Sequence, residues 1–368
     1  YLSRWRPLPA VSATLELGLG TRKEASMQAR MRGASILAAS IALAAAGCST
    51  TSGLSQSGPQ SADDATVLTL ATAGGPDGRA AAQVRQFASQ VKELSGGTLR
   101  IELVLKAAAD EAGAWDQAVA QSTEGGDFDM ALVPTRTWEA EGIRSFTALS
   151  APFLRASDQV VAKVVSPENA SGMMAGLRPV GLTGLALLPD GPRMLFSFGG
   201  PITAPAELAG KVVRAPGSST GYATLKALGA SPQALAGELF TDALAKGTVK
   251  AAESSFTRAA TFPRPSTVAG NLPVYVKVNS LVINTKAYVH LAADDRRVLT
   301  EAAARTQESV TDAKARTADE AADFCRRGGT IVAATDQQLA AFEAAAAPVY
   351  AQLERDAATK ALIAKIRA

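Results

Sequence analysis

One arginine in this sequence is placed where an anion could be held. In "GKVVRAPGSSTGY" (residues 210–222), Arg214 ends a short apolar, β-branched run and is followed at once by Ala-Pro-Gly-Ser-Ser. That puts a permanent cation at the carboxyl end of a strand and the mouth of a turn, where open α/β folds hold their ligands. Little else offers chemistry. With one histidine and two cysteines, no thiol cluster, histidine pair or C-x-x-C can be written, so no metal and no cofactor is expected. Catalytic signatures such as G-x-S-x-G, H-E-x-x-H and the Gly-Lys-Ser/Thr phosphate loop are absent. "PGSSTG" at 216–221 lacks the phosphate-loop lysine and reads as a capped turn. Cys325 in "ADFCRRGG" reads as a small buried hydrophobe, and His290 in "KAYVHLAADD" as packing at a helix end.

Composition bounds the class. The chain has 368 residues, 47% of them hydrophobic, and a mean hydropathy of +0.08, which fits a globular protein long enough for two domains. Of 37 basic and 34 acidic residues, six and two lie in the first 47, leaving a body of 31 against 32. A near-neutral body carries no electrostatic footprint for nucleic acid.

The amino-terminal segment reads as an address. "MQARMRGASILAASIALAAAGCST" has two arginines, an uncharged run over 34–46, then Ala-Gly-Cys at 46–48, the pattern of a secretory signal peptide. The run is shorter than the roughly 20 residues a spanning helix needs. Cys48 resembles the cysteine of a bacterial lipobox, diacylated after cleavage, although Ala45 stands where leucine is usual and Leu43 lies two residues earlier. Residues 1–26, ahead of Met27, read as sequence upstream of the true start. "STTSGLSQSGPQSADDA", from Ser49 onward, is rich in Ser, Gly, Thr and Gln and reads as a flexible tether. Lipid, tether and body together place the protein outside the cytoplasm at a membrane surface.

The body alternates strand and helix patterns. Strands are expected at 66–72, 98–105 and 128–133, with a helix carrying Val84, Phe87, Val91 and Leu94 at helical spacing and another at 113–124. That order implies a parallel sheet with crossover helices. Further strands are expected at 179–188, 193–198, 211–216 and 249–255, with helices at 218–228 and 237–247. An apolar stretch at 271–284, with Asn279 inside it, is long enough to pass from one domain to another. Residues 294–327 read as one long helix, followed by a short strand at 329–334 and closing helices. Two α/β units joined by crossing segments imply a cleft, a preferred site for ligands.

The run "PITAPAELAGKVVRAPGSSTGYATLKALGASPQALAGELFTDALAKGTVKAAES" (201–254) resembles the solute-binding proteins of TRAP transporters, the DctP-like family. "RIELVL", "GDFDMALVPT", "LSAPFL" and "SLVINTKAYVHLAADDRRVLTEAA" extend the likeness over nearly all of 66–368. The resemblance implies an α/β, two-lobed periplasmic-binding-protein-like fold of type II, with an interdomain cleft and a long helix spanning both lobes. Residues 1–47 then form the upstream and signal segment and 48–65 the tether. Lobe I comprises 66–190 with 280–333, and lobe II 191–279 with 334–368.

The implied function is capture of an organic acid anion and its delivery to TRAP permease membrane subunits, without catalysis, by a monomer anchored through Cys48. The alternatives are a ligand-sensing lipoprotein and, with least support, an α/β enzyme. Arg214 aligns with the arginine that pairs with the solute carboxylate, for which a planar guanidinium is suited as lysine is not. By the same resemblance Arg193 is a second ligand-facing arginine, Trp138 an aromatic wall and Phe153 a lining or interdomain packing residue. Arg136 reads as pointing to solvent. The family's V-D-G-x-E-N is "VKAAES" here. Lys250 and Ala251 replace aspartate and glycine, and Ser254 stands in place of the asparagine that would bond the ligand, with a shorter group able to donate one hydrogen bond. Ala73 likewise replaces a polar residue sometimes found after the first strand.

Overall fold

The computed structural model describes residues 65–108, 115–154, 158–310 and 313–367. The signal segment, Cys48 and the tether lie outside them. Strand β1 (Thr66–Thr72), helix α1 (Arg79–Leu94), β2 (Leu99–Leu105), α2 (Trp115–Gly125) and β3 (Met130–Pro134) follow one another. β1 pairs in parallel with both β2 and β3. The helix α1 forms because Val84, Phe87 and Val91 fall on one buried face, and it stops where Gly96 and Gly97 take φ of 62° and 88°, a region costly for residues with a side chain.

Helices α3 (Asp158–Val165) and α4 (Pro167–Ala175) lead into β4 (Leu182–Ser197). Then come β5 (Val212–Arg214), α5 (Ser219–Ala227), β6 (Ser231–Gln233), α6 (Gly237–Ala245), β7 (Val249–Ser254), α7 (Phe256–Ala259) and β8 (Thr267–Ala269). The chain closes with β9 (Tyr275–Asn284), α8 (Thr285–His290), α9 (Ala293–Val310), α10 (Ala313–Arg326), β10 (Thr330–Val332), α11 (Asp336–Ala345), α12 (Ala347–Leu353) and α13 (Ala357–Arg367).

The strands run in the order β2-β1-β3-β9-β4-β7-β5-β6, with β8 on β4 and β10 on β8. Two parallel units, β1–β3 and β5–β7, are thus joined by two long strands. β4 and β9 pair antiparallel from Leu182 opposite Asn284 to Arg193 opposite Tyr275. Strands expected separately at 179–188 and 193–198 are therefore one. "PDGP" at 189–192 does not break the strand because a register shift between Pro189 and Gly191 absorbs it, as bulges do where proline removes a ladder donor.

That shift sits in a polar crossing point. Gln83 on α1 donates to the Pro189 carbonyl (2.7 Å), Asn279 donates to Gln83 (2.8 Å) and to Asp190 (2.9 Å), and Lys277 pairs with Asp190 at 2.5 Å. Burial works against the Asp190 charge, but Lys277, Asn279 and Arg79 outweigh it and hold the carboxyl below its ordinary value. Arg79 spans the same place, making a two-pronged ion pair with Glu320 of α10 at 2.5 and 2.7 Å. Gly191 has φ of 87°, and a Cβ there would lie 2.8 Å from the Arg79 Cζ.

Each unit buries apolar residues on both sheet faces, as the two-residue period of a strand requires. In β9, Leu281 and Ile283 join Phe87 and Leu299 on one side, while Val278 and Val282 join Trp138 and Leu182 on the other. In the second unit Val213, Leu208 and Phe342 form one core and Phe196, Phe256 and Phe324 another. The segment 294–327 is helical over 293–310 and 313–326. α9 packs on α1 and β4, whereas α10 packs on α7 and β10, and β10 pairs with β8. Residues 313–332 therefore follow the second unit, not the first to which the sequence assigned them. α13 returns to pack on α3. No described helix is long and apolar enough to cross a membrane.

Candidate functional site

The site forms where strand ends from the second unit meet α2 and the turn after β3. Arg214 ends β5, in register with Gln233 of β6 and Ala252 of β7. Its Nε donates to the Leu235 carbonyl (2.9 Å) and its Nη1 to the Glu253 carbonyl (3.2 Å). The guanidinium carbon lies 5.4 Å from the ring centre of Trp115 and 5.8 Å from that of Phe240, within cation–π range. Among the described residues no carboxylate forms an ion pair with it. Burial depresses Arg214 to about 10, with Glu253 opposing it and Arg193, Arg136 and Arg258 adding to it, so it remains a cation at neutral pH.

Two further arginines already have carboxylates. Arg193 on β4 is 9% exposed and bonds through Nε to Glu253 of β7, which the antiparallel β4–β7 register brings alongside. Arg136, in the 3₁₀ turn Thr135–Glu139, donates from Nη2 to Asp116 of α2 at 2.6 Å. For both, burial works against the charge but the carboxylate and Tyr275 outweigh it, and both stand above the ordinary arginine value. Tyr275, opposite Arg193 on β9, is pushed up to about 12 by burial and by Glu253, so its phenol stays neutral. Arg214, Arg193 and Arg136 thus lie close to one another and to the carboxylates of Glu253 and Asp116, with Arg258 also acting on Arg214.

Several polar atoms here are buried without a hydrogen-bond partner among the described residues: Ser254 Oγ, Arg136 Nε and Nη1, and Thr137 Oγ1. A buried polar atom left unpaired costs about 1–3 kcal/mol, and these groups are free to bond to water or to a bound molecule.

The first unit also bridges to the segment that follows Arg214. The Glu139 carboxylate, at the end of the 3₁₀ turn, accepts from Ser219 Oγ (2.8 Å), Thr220 N (3.0 Å) and Ser218 Oγ (3.2 Å) at the start of α5. Gln117 of α2 donates to the Gly217 carbonyl at 3.4 Å. A carboxylate at a helix amino terminus meets unpaired N–H groups and the positive end of the helix dipole.

Of the residues expected from the sequence, Arg214 and Ser254 end β5 and β7, and Arg193, within β4, lies on the other strand beside β7. Trp138 is not a cleft wall: it is fully buried in the core of the first unit and donates its indole N–H to Ser280 Oγ at 2.8 Å. The aromatic ring against Arg214 is Trp115. Phe153 packs on Phe342 in the second unit, with ring centres 5.5 Å apart, in keeping with interdomain packing. Arg136 does not point to solvent; it is 6% exposed because Asp116 compensates its burial. Cys325 is exposed, and its neighbour Phe324 fills the core instead. His290 lies exposed at the end of α8, with Nδ1 2.7 Å from the Lys286 carbonyl.

Sequence reasoning missed Trp115, Asp116, Glu253 and Tyr275. The one available signal was the glutamate that follows Ala251 and Ala252 in the "VKAAES" strand, since a charge in a buried strand needs a buried counter-charge. Among the described residues no group of three or more His, Cys, Asp or Glu is placed to hold a metal ion.

Comparison with known proteins agrees with the fold. The C4-dicarboxylate-binding periplasmic protein DctP of Rhodobacter capsulatus is 25% identical over 218 residues, spanning 58% of this chain and 65% of that relative's length. The fold matches the Bordetella pertussis extracytoplasmic solute receptor DctP7 binding pyroglutamic acid (TM-score 0.72, 20% identity, 83% of this chain and 100% of that one). It also matches TRAP periplasmic solute-binding proteins from Ralstonia eutropha with (S)-2-acetolactate (0.72, 22%, 82% and 97%) and from Polaromonas bound to D-erythronate (0.71, 20%, 82% and 98%). Residues 72–356 match the model of the bacterial extracellular solute-binding proteins, family 7, the DctP family. With the two-unit α/β fold, that match over most of the chain means that this protein belongs to the DctP family of bacterial extracellular solute-binding proteins.

Proposed function

We propose that the protein captures an organic acid anion at Arg214, between the two α/β units, and delivers it to the membrane subunits of a TRAP-type permease. A diacylated Cys48 would hold it at the outer face of a membrane. The observation that carries the reading is the guanidinium of Arg214. Its described hydrogen bonds go to backbone carbonyls, and it lies beside two arginines already matched by Glu253 and Asp116. Charge-assisted hydrogen bonds contribute about 1.5–3 kcal/mol each, and a carboxylate accepts two in parallel from this group. Relatives named for C4-dicarboxylate binding or bound to acetolactate, erythronate and pyroglutamic acid support an acid as the ligand.

The test is thermal unfolding of the protein against a panel of carboxylic acids, since a ligand that binds only the folded form raises the midpoint by mass action. Arg214→Lys should cost about ten- to a hundredfold in affinity, following the loss of one such bond. An undiminished shift in that variant would remove Arg214 from the site. Anchoring is tested by Cys48→Ser, which should move the protein from the membrane to the soluble fraction; a variant still bound to membranes would refute lipidation.

A further inference from the structure

The chain changes core at three places, and one buried charge cluster lies beside them. Strand β4 leaves the first unit's core after Leu188 and enters the second's at Met194; β9 passes the other way between Tyr275 and Val278; the helices pass from Val310 of α9 to Phe324 of α10. Asp190 of β4 and Lys277 of β9 pair at these crossings. Next to them Arg79 of α1 forks onto Glu320 of α10 at 2.5 and 2.7 Å and donates to Thr317 at 3.0 Å. Resting on the reading of the protein as a receptor whose two units close on a ligand, we propose that the Arg79–Glu320 pair is the pivot of that closure. It stays made while the units rotate about it, and so positions them without touching the ligand.

α1 packs on α9, β2 and β4, whereas α10 packs on α7, β4 and β10, so the pair ties a helix of the first unit to a helix of the second. It lies against the crossing strand itself, because the Arg79 guanidinium fills the space that a Cβ at Gly191 would need. In hinge closure a few residues between the units absorb the change, and atoms beside them move least. The pair is also too deeply buried to be broken at every cycle. Its side chains are 7% and 16% exposed, and separating them would leave a charge uncompensated. A planar guanidinium held by two bonds fixes orientation as well as distance. The Glu139 bridge has the opposite character. Its neighbour Trp138 packs on one face of the sheet, while Val84 and Phe87, which follow Arg79 on α1, pack on the other. Ser219, its partner, is exposed, so those bonds exchange readily for water. One face carries a releasable latch and the other a fixed point.

Spin-label distances in the full chain carrying Cys48→Ser decide the matter, all measured without ligand. Cys325 is exposed on α10, and paired with Ala82→Cys, an exposed position one turn beyond Arg79 on α1, it reports on the pivot. Ala140→Cys with Lys226→Cys, both exposed positions, report on the cleft rim in a Cys325→Ser background. In Glu139→Ala the rim distance should lie several ångströms beyond its value in the bridged arrangement, while the pivot distance stays at its own. Arg79→Gln, Glu320→Gln and the double variant should broaden the pivot distribution to the same extent, since residues that act as one pair are not additive. A pivot distance that lengthens with the rim in Glu139→Ala overturns the proposal. So does a rim that does not lengthen, or a distribution in Arg79→Gln as narrow as with arginine present. If Arg79→Gln does not fold, the two distances in Glu139→Ala still decide. Failure of every acid in the thermal-unfolding panel would strike carboxylate capture and leave the pivot standing.

Discussion

Glu139 is the residue whose removal should most change how tightly ligand is kept without touching the ligand site itself. Its carboxylate takes three hydrogen bonds from Ser218, Ser219 and Thr220 across the cleft. Solute receptors of this kind trap ligand by closing about a hinge, and these bonds exist only while the two units are together. Ser219 is exposed and Glu139 only partly buried, so water competes for each donor once the cleft opens. A net of about 0.5–1.5 kcal/mol per bond then applies, and three bonds give about 2 kcal/mol after allowing for that exposure.

If the open form prevails without ligand, a loss of about 2 kcal/mol in closure passes in full to the apparent affinity, about thirtyfold in Kd at 1.4 kcal/mol per decade. Glu139→Ala should therefore weaken binding by about that factor, mostly through faster release, measured by titration calorimetry and stopped-flow dissociation. Glu139→Gln, which keeps an acceptor but loses the charge, should fall between. The fold should survive, because α5 keeps its own cap, with Ser218 Oγ accepting from Gly221 N at 3.0 Å. Release unchanged in Glu139→Ala, with unfolding also unchanged, would refute the latch.

Three further outcomes follow from the geometry. Ser254→Ala removes a buried hydroxyl with no described partner, so ligand-free stability should hold or rise by up to about 1 kcal/mol while ligand affinity falls; a loss of stability with affinity intact would place the hydroxyl's role in the fold. Gly191→Ala should cost at least about 1–2 kcal/mol from the left-handed backbone alone, more if the Arg79–Glu320 pair is displaced, and an unchanged urea midpoint would contradict this. Asp190 is held below its ordinary value of 3.8, so its contribution is complete above that pH and is lost as pH falls through the lower folded value. The stability gap between wild type and Asp190→Asn should accordingly be widest near neutrality and close at acid pH; a gap constant down to pH 3 would be inconsistent with the Lys277 pair.

Much of this protein was legible before any coordinates. The parallel strands with crossover helices follow from short β-branched runs alternating with 3.6-period segments that end at glycine. Arg214 could be singled out because a cation closing an apolar strand ahead of Pro-Gly-Ser has few structural uses. The break expected at "PDGP" does not occur, because a strand can carry two prolines when a paired neighbour and a bulge accommodate them, and the β9 residues opposite it lie 84–89 positions downstream.

The identity of the arginines' partners was decided only in three dimensions. Asp116 and Glu253 lie 20 and 60 residues from the guanidiniums they neutralise, and nothing local in "WDQAV" or "VKAAES" specifies those pairs. Trp138 and Trp115 could not be told apart by type, since an aromatic after a strand suits a core as well as a cleft; the side facing Ser280 made one of them core. Local patterns determine which segments become strands and helices because those patterns act over a few residues. How the charges at the strand ends are paired depends on residues from five separate stretches of chain, and only the fold brings them together.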